Sequence, residues 1–123
     1  MMKLNVLNKE FSVCKLKTFA DPSALEHPFF YGITDEEISL VCPISSVPDG
    51  LIAREDGWKG FYIEGTLDFS LVGILARISA LLAAKNIGIF VVSTYNTDYV
   101  FVKKEQFDHA LAVLSQGGYE IIS

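Results

Sequence analysis

The chain has 123 residues, of which 50% are hydrophobic, and its formal net charge is −5. This length suits one domain or two very small packed units, and the composition allows a real core and excludes a largely disordered chain. The 10 basic residues are scattered singly along the sequence. That pattern argues against a nucleic-acid partner and against binding to an anionic membrane surface.

The sequence predicts neither export nor a membrane span. The start, MMKLNVLNKEF, lacks the apolar segment of a secretory signal. Arg77 and Lys85 interrupt the apolar stretch 71–92, whereas a membrane helix needs about 20 apolar residues with few charges. Cys14 and Cys42 lie in strand-like runs without a CxxC motif, so we expect reduced thiols in a cytoplasmic protein.

The first half of the chain predicts a small β-rich unit. Three runs are typical of strands because they are rich in β-branched and aromatic residues: 10–17, 27–34 and 37–44. Residues 21–25 are long enough only for one helical turn, and residues 45–57 indicate a loop with at most one more. With a boundary near Gly57, we expect residues 1–57 to form a reduced version of the second half.

From Trp58 onward the hydrophobic period alternates between that of a strand and that of a helix. The predicted elements are a strand, a helix, two strands, a helix and a strand, over residues 58–65, 70–85, 86–94, 98–103, 104–115 and 119–123. This β-α-β-β-α-β order is the ferredoxin-like arrangement, an antiparallel sheet with both helices on one face. We therefore predict an α+β fold with a ferredoxin-like unit over residues 58–123.

The strand at 86–94 is apolar on both of its faces. Ile87, Ile89 and Val91 alternate with Phe90 and Val92, whereas a half-exposed antiparallel strand alternates apolar with polar residues. We therefore expect the sheet face opposite the helices to be covered by the first half of the chain or by a second subunit.

The sequence contains no motif that indicates catalysis. It lacks the glycine-rich phosphate loops, the G-x-S-x-G nucleophile motif and the H-E-x-x-H metal motif. A surface position explains His27 and His109 better than a catalytic role does, and nothing in the sequence supports a Cys14–His27 nucleophile pair. We expect no catalytic activity, no cofactor and no metal site.

Two polar stretches remain as candidates for a binding site. The first, residues 64–73, joins a strand to the first helix and carries Asp68 and Ser70. Unpaired N–H groups at a helix start favour a carboxylate or phosphate, although capping of the helix explains Asp68 and Ser70 better than a ligand does when each is taken singly.

The second stretch is S-T-Y-N-T-D, residues 93–98, six consecutive side chains that each carry a hydrogen-bonding group. Turn formation accounts for Asn96 and Asp98 and leaves Ser93, Thr94, Tyr95 and Thr97 only loosely explained. Acidic and amide groups beside a carboxylate-binding helix start suit a zwitterion.

The segment GILARISALLAAKNIGIFVVSTYNTDYVFV resembles an ACT domain, the small-molecule regulatory module of aspartate kinases and other amino-acid enzymes. The resemblance is greatest to stand-alone proteins with two ACT-type units, related to the cytosolic arginine sensor of animal growth signalling. Its most specific element is Val92–Asp98. Many metabolic ACT domains carry Pro-Gly two residues after an Asp, whereas here Asp68 stands five residues before Gly73 and Val72 replaces the proline.

In that group the loop before the first helix and the S-T-x-N-T-D turn bound a ligand pocket between ACT units. The resemblance therefore implies these ligand-binding residues: Gly65, Asp68, Val72, Gly73, Thr94, Tyr95, Asn96 and Asp98. It also implies that residues 58–123 form an ACT domain and residues 1–57 a degenerate ACT-like unit.

Two functions fit this sequence. In the first, the chain is an amino-acid-binding sensor or regulatory module, a homodimer through sheet or helix pairing that acts on a separate effector protein because it carries no kinase. In the second, it is a structural interaction module that has lost its ligand. The S-T-Y-N-T-D turn and Asp68 favour the first, and the pocket lies either within one chain or between two.

Overall fold

A computed structural model describes residues 2–65 and 72–123. Within these ranges lie eight strands and two α-helices: β1 Lys3–Val6, β2 Phe11–Leu16, β3 Phe30–Ile33, β4 Ile38–Pro43, β5 Leu51–Ile63, α1 Ile74–Ala83, β6 Ile89–Ser93, β7 Asp98–Lys103, α2 Lys104–Gln116 and β8 Glu120–Ile122. The α+β fold class and the β-α-β-β-α-β order of the second half are confirmed. No helix in the described ranges is both long and apolar enough to cross a membrane.

Backbone contacts divide the chain into two compact units. The strand unit comprises Lys9–Trp58, and the helical unit comprises the N-terminal strand β1 together with the chain from Lys59 onward. The long strand β5 contributes residues to both.

The sheet of the helical unit contains a strand that the sequence did not predict. β1 pairs antiparallel with β5, with Leu4 opposite Ile63, and parallel with β8, with Leu4 opposite Ile121. The strand β7 pairs with β5 and β6. β1 therefore lies between the first and last strands of the ferredoxin-like motif. This strand has only four residues, KLNV, which are too few to show a clear alternation of polar and apolar side chains.

Both helices of the helical unit share one core with alternate residues of its strands. Ile78 and Leu82 of α1 are buried, and the core contains these further residues: Leu4, Phe61, Ile63, Val100, Val102, Phe107, Ala110 and Leu114. Each fully buried aliphatic or aromatic side chain contributes about 1.5–3 kcal/mol. This core fixes both helices over the sheet and so fixes the start of α1.

The strand unit is an antiparallel arrangement in the order β3, β4, β2, β5. Its core consists of Cys14, Leu16, Leu25, Leu40 and Cys42. The three strands predicted at 10–17, 27–34 and 37–44 are present with trimmed ends.

The loop predicted at 45–57 is wrong from Leu51 onward, because β5 begins there and pairs with β2. The side chains of Arg54 and Asp56 are exposed and pair with each other at 3.0 Å, so this stretch gives no apolar alternation. The register shifts between Phe11 and Val13 of β2, and Gly57 has a φ of 88°. Gly57 therefore lies at a bulge within a continuous strand, close to the division of the two units between Trp58 and Lys59.

The sheet of the helical unit carries an aromatic stack on β6 and β7. The rings of Phe90 and Phe101 lie 4.7 Å apart and 12° from parallel. Phe101 is buried, while Phe90 and Val92 are half-buried. Gly60 of β5 lies under this stack: a Cβ added there would stand 2.8 Å from two carbons of the Phe101 ring and 3.1 Å from the carbonyl oxygen of Val100.

We expect Gly60→Ala to lower the free energy of unfolding by about 1–3 kcal/mol, the usual cost of overpacking a filled interior. The ring of Phe101 cannot move away easily, because it is buried and stacked. Chemical denaturation monitored by circular dichroism measures the change.

Gly88→Ala is the matched control. A Cβ at Gly88 meets no atom within 4 Å, and we expect a change within about 0.5 kcal/mol. Equal stability of the two variants would contradict the close approach at Gly60.

Candidate functional site

The S-T-Y-N-T-D turn closes the hairpin of β6 and β7. The two strands pair as far as Ser93 opposite Asp98, and the hydroxyl of Ser93 donates to Oδ1 of Asp98 at 2.5 Å. Tyr95 and Asn96 form the exposed tip, with Tyr95 80% exposed. One oxygen of the Asp98 carboxylate is therefore oriented by its neighbour within the turn.

The two threonines of the turn bond to each other. Backbone N–H of Thr94 donates to the carbonyl oxygen of Thr97 at 2.9 Å. The hydroxyl of Thr94 donates to the same oxygen at 3.0 Å and accepts from the backbone N–H of Thr97 at 3.4 Å. Much of the polarity that the sequence left unexplained thus shapes the turn itself.

The side chain of Thr97 ties the turn to the end of β5. Thr97 is 7% exposed, and its hydroxyl donates to the carbonyl oxygen of Ile63 at 2.7 Å. Because Gly65 lies two residues beyond Ile63, the turn and the start of the 64–73 segment meet at one end of the sheet. The sequence left Thr97 only loosely explained, since no local pattern points to a partner 34 residues away.

The other end of the 64–73 segment leads into α1. Gly73, at the N-cap position, has a φ of 85°, and Val72 before it is 94% exposed. The helix begins at Ile74 and not at residue 70, and the sequence offered Asp68 and Ser70 as its capping residues. Both residues, and with them the predicted ligand contact of Asp68, lie outside the described residues.

The first turn of α1 has backbone donors that no helical carbonyl accepts. The first intrahelical bond runs from the N–H of Arg77 to the carbonyl oxygen of Gly73 at 3.0 Å. The N–H groups of the preceding residues have no acceptor within the helix, as at any helix start.

A cleft of about 250 Å³ opens beside this helix start. Two predicted site residues line it, together with four residues that the sequence did not single out as ligand contacts: Val72 and Gly73, with Met2, Ile74, Arg77 and Tyr119. Met2 immediately precedes β1 and Tyr119 immediately precedes β8, and these strands run parallel side by side. The sheet therefore places both at the end where Ile63 and the turn lie.

Within this cleft Arg77 is held by α2 and by an aromatic ring. Its terminal nitrogen donates to the carbonyl oxygen of Gly117 at 2.8 Å, and its guanidinium carbon lies 5.3 Å from the centre of the Tyr119 ring. A cation at the last carbonyls of a helix is favourable. The sequence pattern had indicated no role for Arg77 beyond the interruption of an apolar stretch.

The thiols and imidazoles considered for catalysis differ in their exposure to solvent. Cys14 and Cys42 are 2% and 0% exposed, in the core of the strand unit. The hydrogen bond between the two thiols lowers the pKa of Cys14 and raises the pKa of Cys42, which burial raises further. His27 and His109 are exposed. No group of three or more His, Cys, Asp or Glu within the described ranges could hold a metal ion.

The family model for the ACT domain matches residues 53–116. In sequence the chain is similar to the cytosolic arginine sensor for mTORC1 subunit 1 of Rattus norvegicus, with 27% identity over 121 residues. The match covers 92% of this chain and 37% of the rat protein. The chain therefore spans little more than a third of the length of that relative.

Solved structures similar to this one include a bacterial protein and a regulatory subunit of a kinase. A protein of Agrobacterium tumefaciens has a TM-score of 0.85 and 28% identity, with 98% of this chain and 92% of that chain covered. The regulatory subunit of aspartate kinase from Thermus thermophilus, in its ligand-free form, has a TM-score of 0.62 and 10% identity over 89% of this chain and 93% of that one. The second likeness shows a shared fold alone.

We expect Thr97→Val to lower the free energy of unfolding by about 1–3 kcal/mol, because it removes a donor from a buried carbonyl while keeping the branched shape. Thermal and chemical unfolding measure the loss. Thr18→Val, at an exposed position of the strand unit, is the control and should change stability by less than about 0.5 kcal/mol. If both variants have the same free energy of unfolding as the parent chain, the hydrogen bond between Thr97 and Ile63 does not stabilise the turn.

Proposed function

Since the chain belongs to the ACT-domain family, we propose that it binds a free amino acid or a similar small zwitterion and regulates a separate effector protein. It has no catalytic activity of its own in this proposal, and it uses no cofactor. It acts in the cytoplasm as a homodimer. Residues 58–123 are the ACT domain, and residues 1–57 are a reduced ACT-like unit whose strand β1 pairs in the sheet of the helical unit.

The hydrogen bond from Thr97 to Ile63 is the observation that carries this proposal. It joins the 93–98 turn to the start of the 64–73 loop, the two segments that we propose hold the ligand at an interface between ACT units. The proposed ligand-binding residues are Gly65, Asp68, Val72, Gly73, Thr94, Tyr95, Asn96 and Asp98.

The described groups suit the two ends of an amino acid. The hydroxyl of Ser93 donates to Oδ1 of Asp98. Because an ionised carboxylate accepts several hydrogen bonds, Asp98 can also accept one from an ammonium group. The first-turn N–H groups of α1 favour a carboxylate. The exposed amide of Asn96 at the tip of the turn adds both a donor and an acceptor.

The second candidate function is a structural interaction module without a ligand. The internal bonds of the turn favour it: the hydroxyls of Ser93, Thr94 and Thr97 all have partners within the protein. Turn formation alone therefore explains more of the S-T-Y-N-T-D sequence than the sequence pattern indicated.

A thermal-shift screen of the full chain against the twenty amino acids separates the two functions. A ligand present at 100 times its dissociation constant stabilises the folded chain by about 2.7 kcal/mol, which raises the melting temperature by several degrees. We expect at least one amino acid to do so. No shift with any of them would favour the interaction module.

We expect Asp98→Asn to weaken binding of the amino acid found in that screen by roughly ten- to a hundredfold, the effect of losing one charge-assisted hydrogen bond. The structure makes this substitution selective, because the side-chain oxygen of Asn also accepts the bond from Ser93 and the turn is kept. Isothermal titration calorimetry measures the affinity, with unfolding followed in parallel.

Asp108→Asn is the matched control, since Asp108 is an exposed residue of α2 in the same unit. It removes the same charge from the helical unit and should leave the affinity unchanged. If the affinity of Asp98→Asn is also unchanged, Asp98 shapes the turn and does not contact the ligand.

A further inference from the structure

The cleft beside α1 has a size and a lining that fit a small ligand. Pockets for drug-sized ligands measure about 300–1,000 Å³, so a cleft of about 250 Å³ suits a molecule the size of one amino acid. Its walls are mostly apolar, formed by Met2, Val72, Ile74 and the ring of Tyr119. Arg77 supplies its one charged side chain among the described residues.

The guanidinium of Arg77 is already oriented before any ligand binds. The bond to Gly117 and the ring of Tyr119 hold it in place. The bond to Gly117 uses one of the five N–H donors of an arginine. A guanidinium fixed in this way matches the two oxygens of a carboxylate, which it binds through two parallel hydrogen bonds.

The described lining of the cleft contains no acidic side chain that could neutralise Arg77. No Asp or Glu is among its described lining residues, although acidic residues outnumber basic ones by 15 to 10 in the chain. The neighbouring carboxylate of Glu64 is bonded to Asn5 at 3.2 Å and lies 4.0 Å from Lys3. A cation that no acidic side chain of the described lining neutralises favours an anionic ligand and disfavours a second cation.

We infer that this cleft binds a small aliphatic amino acid, with its carboxylate on Arg77 and its apolar side chain against Met2, Val72 and Ile74. The inference deepens the proposed function and rests on it, since Val72 and Gly73 belong to both. It also sets a specificity: a basic side chain would place a positive charge in a cleft that already holds one. Arg77 is then a ligand-binding residue, in addition to its bond with α2.

The first test compares probes on the full chain by isothermal titration calorimetry. The probes are L-leucine, L-isoleucine, L-valine and L-methionine, with L-arginine and L-leucinamide as comparisons. We expect at least one of the four aliphatic amino acids to bind, and to bind at least tenfold more tightly than L-arginine. L-leucinamide, which lacks the carboxylate, should bind at least tenfold more weakly than L-leucine.

Two outcomes of this comparison overturn the inference. Binding of L-arginine alone would leave the proposed amino-acid binding standing and refute the aliphatic specificity. Equal binding of L-leucine and L-leucinamide would show that no carboxylate is recognised. Absence of binding by every amino acid in the thermal-shift screen would instead refute the proposed function itself, so the two failures are distinguishable.

The second test changes the cleft. We expect Arg77→Met to weaken binding of the tightest aliphatic probe by roughly ten- to a hundredfold, because the charge-assisted bonds are lost. Arg77→Lys keeps the charge and loses the planar, two-pronged donor geometry. Its affinity for the probe should lie between those of Arg77→Met and the parent chain. Lys59→Met is the matched control: the Lys59 ammonium lies 5.2 Å over the ring of Phe107 in the same unit and does not line the cleft.

The variant Val72→Asp perturbs the cleft without removing the bond between Arg77 and Gly117, so it separates loss of binding from loss of structure. Val72 is 94% exposed, so the substitution should leave unfolding unchanged while it places a competing carboxylate in the cleft. We expect it to weaken binding of the same probe at least tenfold. If Arg77→Met lowers stability while both variants keep the parental affinity, Arg77 only joins α1 to α2 and the inference is wrong.

Discussion

The pairing of β1 with both β5 and β8 is the constraint on which the candidate site depends. Leu4, at the middle of this strand, is fully buried and stands opposite Ile63 on one side and Ile121 on the other. The ladder hydrogen bonds on either side of β1 leave little freedom in register, since a slip by one residue would expose Leu4 and bury its polar neighbours. Met2 and Tyr119 are brought side by side only because this register is fixed.

Hydrogen bonds within the protein hold the two charged groups proposed to contact the ligand. Ser93 orients the carboxylate of Asp98, and Gly117 orients the guanidinium of Arg77. Groups that are ordered before binding lose less conformational entropy when a ligand arrives. The polar turn therefore serves two purposes that do not conflict: its internal bonds shape it, and the same bonds position Asp98.

Much of the helical unit could be predicted from the sequence because its signals are local. The period of the apolar residues gave β7 and α2 nearly to the residue. The start of α1 was placed too early, since apolar periodicity continues through Leu71 whereas the helix begins after Gly73, whose positive φ suits a glycine.

The remaining features depend on contacts that no local pattern contains. Thr97 and Arg77 bond to partners 34 and 40 residues away, and β1 is defined by two strands far along the chain. The first part of β5 was missed because its charged side chains are exposed while its backbone still pairs with β2. For the site, the sequence indicated which loops to consider, and tertiary packing decided which side chains join them.

Asp98 and Arg77, the two charged groups proposed to contact the ligand, carry opposite charges, which suits a zwitterion better than a simple acid or amine. Asp98 belongs to the hairpin of β6 and β7, whereas Arg77 belongs to α1 and is bonded to the end of α2. A ligand with both an ammonium and a carboxylate would therefore join the hairpin to the helical layer. Because a ligand stabilises only the state to which it binds more tightly, such a bridge would favour one arrangement of hairpin and helices, and an effector protein that contacts either element would detect it.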